Sequence, residues 1–293
     1  SWGLTVLNRE LLRRLSLTGV RGIGAGCCLA ASLWAVEPSS APSETPAAEP
    51  KAVAASNADS LLVQEKSTAE GLAVVERALV ALQGIKDYSC VFVKRETVNG
   101  RQQPQQYMFM KLRREPFSVY LHFLRPDDRQ GQEAIYLHGA RDNKLLAHGV
   151  GWQKRIGGTR ALEPTSSLAM SGNRHPITEI GMENLVRIVS GLPQTEPGFA
   201  SIRTRFFPDR YVAGRKCLGV EFAHTQPVEG ATFLAMRLYF DEETALPLRQ
   251  ELWQRGADGQ PELSEEYTYA DVKINRGYKD RDFDPQNPAY DYD

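Results

Sequence analysis

The 293 residues carry 35 basic and 36 acidic side chains, a formal net charge of -1 and a sequence pI near 6.5. That balance gives no electrostatic case for nucleic-acid binding, which calls for a basic patch or stripe, and the body of the chain has no lysine or arginine run. With the N-terminal segments set aside, about 230 residues remain, enough for one substantial core.

Residues 1–36 have the order of an export signal. Arg9, Arg13, Arg14 and Arg21 precede an uncharged Gly/Ala/Leu run over 22–36, and Glu37-Pro38 follows at once. The run falls short of the roughly 20 apolar residues of a comfortable membrane span. Cleavage near Ala35 is therefore expected, with retention as an anchor the alternative. Arg13-Arg14 fits a twin-arginine pattern only loosely, as Gly26-Cys27 fits a lipoprotein site. Residues 37–62, rich in Pro, Ala, Ser and Glu, have nothing to bury and read as a disordered linker. Residues 63–293 read as a single globular domain.

That domain opens with a capping box, Ser67 and Glu70, ahead of a helix with Leu72, Val75, Leu79, Leu82 and Ile85 as its apolar stripe and Gly84 as its stop. A strand over 88–96, a turn at Asn99-Gly100 and a partner strand over 106–113 follow. The most regular stretch comes next. Phe117, Val119, Leu121 and Phe123 alternate strictly with Ser118, Tyr120, His122 and Leu124, the period of a half-buried strand. After a turn with Asp127-Asp128 and Gly131, β-formers resume over 133–138 and complete a hairpin. Its second face, with Tyr120, His122, Tyr136 and His138, is mixed, so the sheet either packs a helix and faces water or curls around a ligand. A short strand over 144–148 follows the turn at Asp142-Asn143.

Residues 149–176 hold five glycines and two prolines, a loop long enough to be functional or an Ω-type excursion. Thr178 and Glu179 are expected to start a second helix that buries Met182, Leu185, Val186 and Val189 and stops at Gly191. Strands resume at 201–207, 216–224, 233–240, 248–253 and 266–274. This succession predicts an α+β fold with a strongly curved, mostly antiparallel sheet covered by two or more helices. No period of 20 to 50 residues repeats, which excludes a propeller or solenoid.

No G-x-S-x-G, H-E-x-x-H, P-loop or G-x-G-x-x-G motif is present. The sharpest polar cluster is Arg174, His175 and Glu179, beside Asn173. His175 and Glu179, four apart, can share a helix face as metal ligands or an acid/base pair. A third ligand at readable spacing is missing, so no metal or cofactor is expected. The plainer reading has Glu179 serving the helix N-terminus while Arg174 and His175 tie the long loop to the body. His122 and His138 lie on strands that can bring them together. Tyr267, Tyr269, Tyr290 and Tyr292 read as sheet and rim residues. Cys90 and Cys217, both on expected strands, read as buried free thiols, with a disulfide between them the alternative.

Four stretches resemble the domain-of-unknown-function family 1571 of planctomycete-type bacteria: YSCVFVKRE (88–96), EPFSVYLHFLRP leading to GQEAIY (115–136), AMSGNRHPITEIGMENL (169–185) and DFDPQNPAY (282–290). The resemblance covers residues 71–292. More distantly, the order helix, meander, helix, meander, with FDEETALPLRQELW (240–253), is similar to the lipoprotein-carrier superfamily of LolA, LolB and RseB. It implies an incomplete, LolA-like β-barrel around an apolar cavity, acyl chains inside it, and the D-x-x-T-x-x-P segment (241–247) as a hairpin turn. Phe117, Val119, Leu121 and Phe123 would then line the cavity; without the resemblance they read as core. The linker and the Gly-rich 149–176 segment are not expected of the carriers. The function implied is that of an exported, non-catalytic cell-envelope protein, peripheral to the membrane, whose partner is a lipid or a lipoprotein acyl chain. Two alternatives stay open: an envelope protein-interaction or stress-sensing module, and an enzyme using Arg174, His175 and Glu179.

Overall fold

Strict alternation in the sequence becomes a sheet of 13 strands in the computed structural model, which describes residues 63–151 and 158–292. The expected export signal (1–36) and linker (37–62) lie outside the described residues. The first meander comprises β2 (Asp87–Val98), β4 (Gln106–Arg113), β5 (Ser118–Arg125), β6 (Glu133–Leu137), β7 (Leu145–His148) and β8 (Thr159–Leu162), with β3 (Arg101–Gln102) a short hairpin return on β2. The second comprises β9 (Ile202–Val212), β10 (Arg215–His224), β11 (Ala235–Asp241), β12 (Pro247–Arg255) and β13 (Pro261–Ile274), extended at β9 by β1 (Gln64–Lys66). Antiparallel pairing of β13 with β2 fuses the two, and β1 and β8 end the order without pairing to each other. The result is the expected α+β architecture, a curved, unclosed antiparallel sheet with few helices.

The apolar halves of the strands share the inner face, where helices α1 (Thr68–Gln83) and α2 (Met182–Ser190) cover them. Helix α1 starts at the capping box: Ser67 Oγ accepts from Glu70 N at 3.2 Å and Glu70 Oε2 accepts from Ser67 N at 2.9 Å. Its buried stripe differs from the expected one. Gly71, Val74, Val75, Ala78 and Leu82 face the sheet, while Leu72 and Leu79 are half-buried at the flank. Small residues set this rotation, because they let the helix lie close. A Cβ on Gly71 would stand 2.8 Å from Thr204 Cγ2 and 2.9 Å from Phe222 Cε1. Alanine would add about 1 kcal/mol of helix propensity, but overpacking costs roughly 1–3 kcal/mol. Gly71→Ala is therefore expected to lower the urea midpoint; a rise would mean that helix propensity outweighs the close contact.

The second helix starts later than Thr178. Pro176 is extended, Ile177–Glu179 form one 3-10 turn, and α2 begins at Met182 after Gly181, whose φ of +125° suits only glycine. A Cβ on Gly181 would lie 2.9 Å from Leu112 Cδ1, so the chain there is pressed onto β4. The turn holding Thr178 is spent before this crossing. A further short helix, α3 (Leu192–Thr195), follows at once.

On the outer face, charged residues opposite one another make a ladder across the strands. Glu221 accepts from Arg205 Nε at 2.8 Å and Arg237 Nη2 at 2.6 Å; Arg249 spans Glu251 and Glu266, and Glu266 meets Arg95 at 2.6 Å. Each carboxylate is buried beneath guanidiniums, which keeps this side of the sheet polar without leaving a carboxylate unpaired.

Over β4–β7 much of the outer face is covered. Tyr290 and Tyr292, expected at the sheet or its rim, belong to a C-terminal segment that crosses it. Phe283 is fully buried against Tyr120 and Ile135, Tyr290 stacks on Tyr120 with ring centroids 4.0 Å apart, and Tyr292 Oη donates to Leu146 O. Lys111 Nζ lies 5.1 to 5.5 Å from the rings of Tyr120, Tyr278 and Tyr290, a cation held by aromatic faces. Cys90 and Cys217 are buried and unbridged, and burial pushes both thiols above their usual range.

Candidate functional site

Along the inner face of β2 the side chains read Tyr88, Cys90, Phe92, Lys94, Glu96, so apolar surface gives way to charge partway up the strand. Where it does so, the sheet and its cover part around a cavity of about 910 Å³. The sheet supplies Phe92, Met108, Leu121, Phe123, Leu252 and Tyr269 to its lining, and the cover supplies Ile177, Ile180, Leu185, Ile188 and Leu192. Two of its aliphatic residues face solvent: Leu168 is 52% exposed and Ile188 50%. Exposed apolar side chains at the border of a cavity are a feature that binding sites commonly share.

The four residues expected on one strand face divide between two places. Leu121 and Phe123 line the cavity. Val119 is fully buried in the core and Phe117 precedes β5, half-buried, with its ring 6.1 Å from that of Tyr136. Val119 stands opposite Leu112, against which Gly181 presses, and Met182 N donates to Tyr88 Oη at 3.1 Å. The start of α2 thus seals that end of the strands, and the space opens only toward Leu121 and Phe123.

Arg174, His175 and Glu179 also line the cavity, and the structure brings them together with residues far away in sequence. Arg174 donates from Nε to Glu265 Oε1 at 2.9 Å, from Nη1 to Thr97 O at 2.9 Å, from Nη2 to Gln254 Oε1 at 3.0 Å, and from its backbone N to Glu96 Oε2 at 3.1 Å. His175 places Nε2 3.1 Å from Glu265 Oε1 and Nδ1 3.3 Å from Glu179 Oε2. Glu96 is further held by Lys94 at 3.0 Å and Tyr267 Oη at 2.6 Å, while Lys94 also donates to Asn173 Oδ1.

These contacts set the ionisation of the cluster. The hydrogen bond to Glu265 raises the His175 pKa above its usual value, against the effect of burial. Burial would raise the Glu265 carboxyl, but His175 and Arg174 outweigh it and hold it low. Burial lowers Lys94, with Glu96 opposing. The cluster ties the loop before α2 to β2 and β13. Glu179 pairs with His175 through its side chain, and its backbone carbonyl accepts from Asn184 Nδ2. Among the described residues no group of three or more His, Cys, Asp or Glu is placed to hold a metal ion.

His122 and His138 do not pair with each other: His122 Nδ1 stands 3.4 Å from Glu133 and His138 Nδ1 3.5 Å from Tyr136 Oη. Tyr267 lines the cavity with Tyr269. A serine–histidine–glutamate line has no signature in the sequence. Ser201 Oγ is 3.0 Å from His224 Nδ1, and His224 Nε2 is 3.0 Å from Glu196 Oε1. Ser201 Oγ donates to Gly198 O at 2.8 Å, so the proton a nucleophile would pass to histidine points elsewhere. Glu196 also accepts from Thr232 through N and Oγ1. The line pins the turn before β9 to β10 and to the segment before β11.

No helix among the described residues is long and apolar enough to cross a membrane. The chain has structural similarity to several solved proteins. A DUF1329 family protein from Desulfovibrio piger is 11% identical over 74% of this chain and 96% of that one, with a TM-score of 0.36. A putative outer membrane lipoprotein-sorting protein domain from Vibrio parahaemolyticus is 14% identical over 74% and 97%, with a TM-score of 0.34. The Mycobacterium tuberculosis lipoprotein LppX is 12% identical over 73% and 99%, with a TM-score of 0.43. No curated protein matches the sequence. Residues 85–292 match the family model described as protein of unknown function (DUF1571), and the chain belongs to that family.

Proposed function

We propose that the protein is an exported, non-catalytic component of the cell envelope that takes an apolar ligand, a lipid or a lipoprotein acyl chain, into the cavity on the inner face of its sheet. The observation that supports this reading is the cavity of about 910 Å³ with an apolar floor and with Leu168 and Ile188 open to solvent. Ligand sites generally occupy roughly 300–1,000 Å³ and combine an apolar lining with a few convergent polar groups. The hydrogen bonds of Arg174 and His175 to Glu265 of β13, with Glu179 held by His175, favour an anchoring role for this cluster over an acid/base pair.

Mass spectrometry of lipids co-purifying with the native protein is the direct test. A titration with fatty acids of increasing length supplies the magnitude. Each CH₂ transferred from water gains about 0.8 kcal/mol, so affinity should tighten about fourfold per added carbon until the cavity is full. Leu121→Asn should weaken binding about tenfold while leaving a folded protein, because an open cavity lets the amide hydrate. A wild type without chain-length-dependent binding, together with a Leu121→Asn variant that simply unfolds, would overturn the reading and leave a packed core in its place.

A further inference from the structure

Not every charged group around the cavity has a partner among the described residues. Of the lining carboxylates, Glu96 is held by Lys94 and Tyr267, Glu265 by Arg174 and His175, Glu179 by His175, Glu133 by Tyr120, and Glu196 by His224 and Thr232. Only the exposed Asp128 has no partner among the described residues. On the basic side, Lys94, Arg174 and His175 are spent on these partners, whereas the guanidiniums of Arg129 and Arg160 have neither an ion pair nor a hydrogen bond among the described residues. Two guanidiniums thus border the cavity without a partner among the described residues, beside its apolar floor.

Their position relative to the apolar floor is ordered. On β2 the inner-face residues turn from Phe92 to Lys94, and in register across β4 from Met108 to Gln106. Arg129, in the turn between β5 and β6, reaches this polar end. Its Nη2 would lie 3.7 Å from a Cβ on Gly172, the residue before Asn173, which accepts from Lys94. Burial lowers the Lys94 pKa and the positive charge of Arg129 lowers it further, so the two cations feel each other. An anion placed there relieves that repulsion and supplies an acceptor that Arg129 does not find among the described residues. Arg160, exposed on the edge strand β8, adds a second guanidinium without a partner among the described residues at the border of the same cavity.

We infer that the cavity selects anionic amphiphiles: the acyl chain lies on Phe92, Met108, Leu121 and Phe123, and a carboxylate or phosphate head is held by Arg129 and Arg160. This rests on the apolar-ligand reading above and adds to it the chemistry of the head. A charge-assisted hydrogen bond discriminates against an uncharged head by about tenfold or more.

The test compares tetradecanoate with tetradecanol on the full chain, wild type, Arg129→Gln, Arg160→Gln and the double variant, with thermal melts alongside. Wild type is expected to prefer the acid at least tenfold. The double variant should lose that preference while keeping its affinity for the alcohol and its melting temperature. Inorganic phosphate and butyrate, which carry the charge without the chain, should not displace tetradecanoate at equal concentration; displacement would make the site one for free anions and overturn the inference. Equal wild-type affinity for acid and alcohol, or a preference that survives in the double variant, would overturn the head-group assignment and leave the apolar site standing. Failure of both ligands to bind would remove both.

Discussion

Arg174→Ala is expected to lower stability by about 3 kcal/mol, because it takes the guanidinium away from Glu265, a carboxylate held out of water. Glu265 loses the Nε bond at 2.9 Å, and Thr97 O and Gln254 lose the other two guanidinium bonds. Only the backbone bond to Glu96 remains from this residue. The loss should be local as well as global, since Arg174 is what fastens the loop before α2 to β2 and β13. Hydrogen exchange over residues 163–180 should quicken well beyond what the fall in global stability explains, and an unchanged exchange pattern would sink the anchoring account.

The pH dependence follows from His175. Its folded pKa stands above its usual value, chiefly because of its hydrogen bond to Glu265. The stability it contributes is therefore complete below about pH 6.5 and is lost as pH rises through the raised folded value. In Arg174→Ala the imidazolium is the remaining side-chain cation on Glu265, so the variant should lose more stability than the wild type between neutral and mildly alkaline pH. Denaturant melts across that range measure the difference, and parallel curves would count against the coupling.

How much of this could be read from the chain depends on the distance over which each feature is set. The capping box is a contact over three residues and the strands advertise themselves by alternation, so α1 and the β4–β5 pairing were open to reading. Alternation could place Phe117, Val119, Leu121 and Phe123 on one side, but it says nothing about what lies over them. That Val119 is sealed and Leu121 lines space is decided by Gly181, about sixty residues on, pressing onto Leu112. The partners of Arg174 are similarly remote: Thr97 is 77 residues away and Glu265 is 91. No local spacing encodes such a contact. The C-terminal aromatics escaped for another reason. Their segment packs by single side chains, Phe283 under Tyr120 and Tyr290 upon it, and so carries no period to detect.

The turn from Asp241 to Pro247 joins β11 to β12 as a hairpin, and its first residue is expected to be among the most sensitive positions of the fold. Asp241 is 2% exposed, and its carboxylate accepts at both ends. Oδ1 takes the backbone N–H groups of Glu243 at 3.1 Å and Thr244 at 2.7 Å together with Thr244 Oγ1 at 2.8 Å, while Arg215 forks across the two oxygens at 2.7 and 2.9 Å. Burial alone would raise its pKa, but Arg215 and Thr244 outweigh burial and bring it down to about 2. Asp241→Ala strands two backbone donors and half of a guanidinium pair, and should cost about 3–4 kcal/mol. Asp241→Asn separates the charge from the shape: its amide oxygen can still take the turn's N–H groups, so the loss should be nearer 2 kcal/mol. The sign of the acid dependence is fixed by the lowered pKa. The carboxylate's contribution is present above its unfolded value near 3.8 and disappears as pH falls through about 2. Over that interval wild-type stability should decline toward that of Asp241→Asn, and the two should meet at the acid end. If the gap between them stayed constant from pH 4 to pH 2, the charge of Asp241 would not be what holds the hairpin, and the backbone bonds from Glu243 and Thr244 would have to account for it alone.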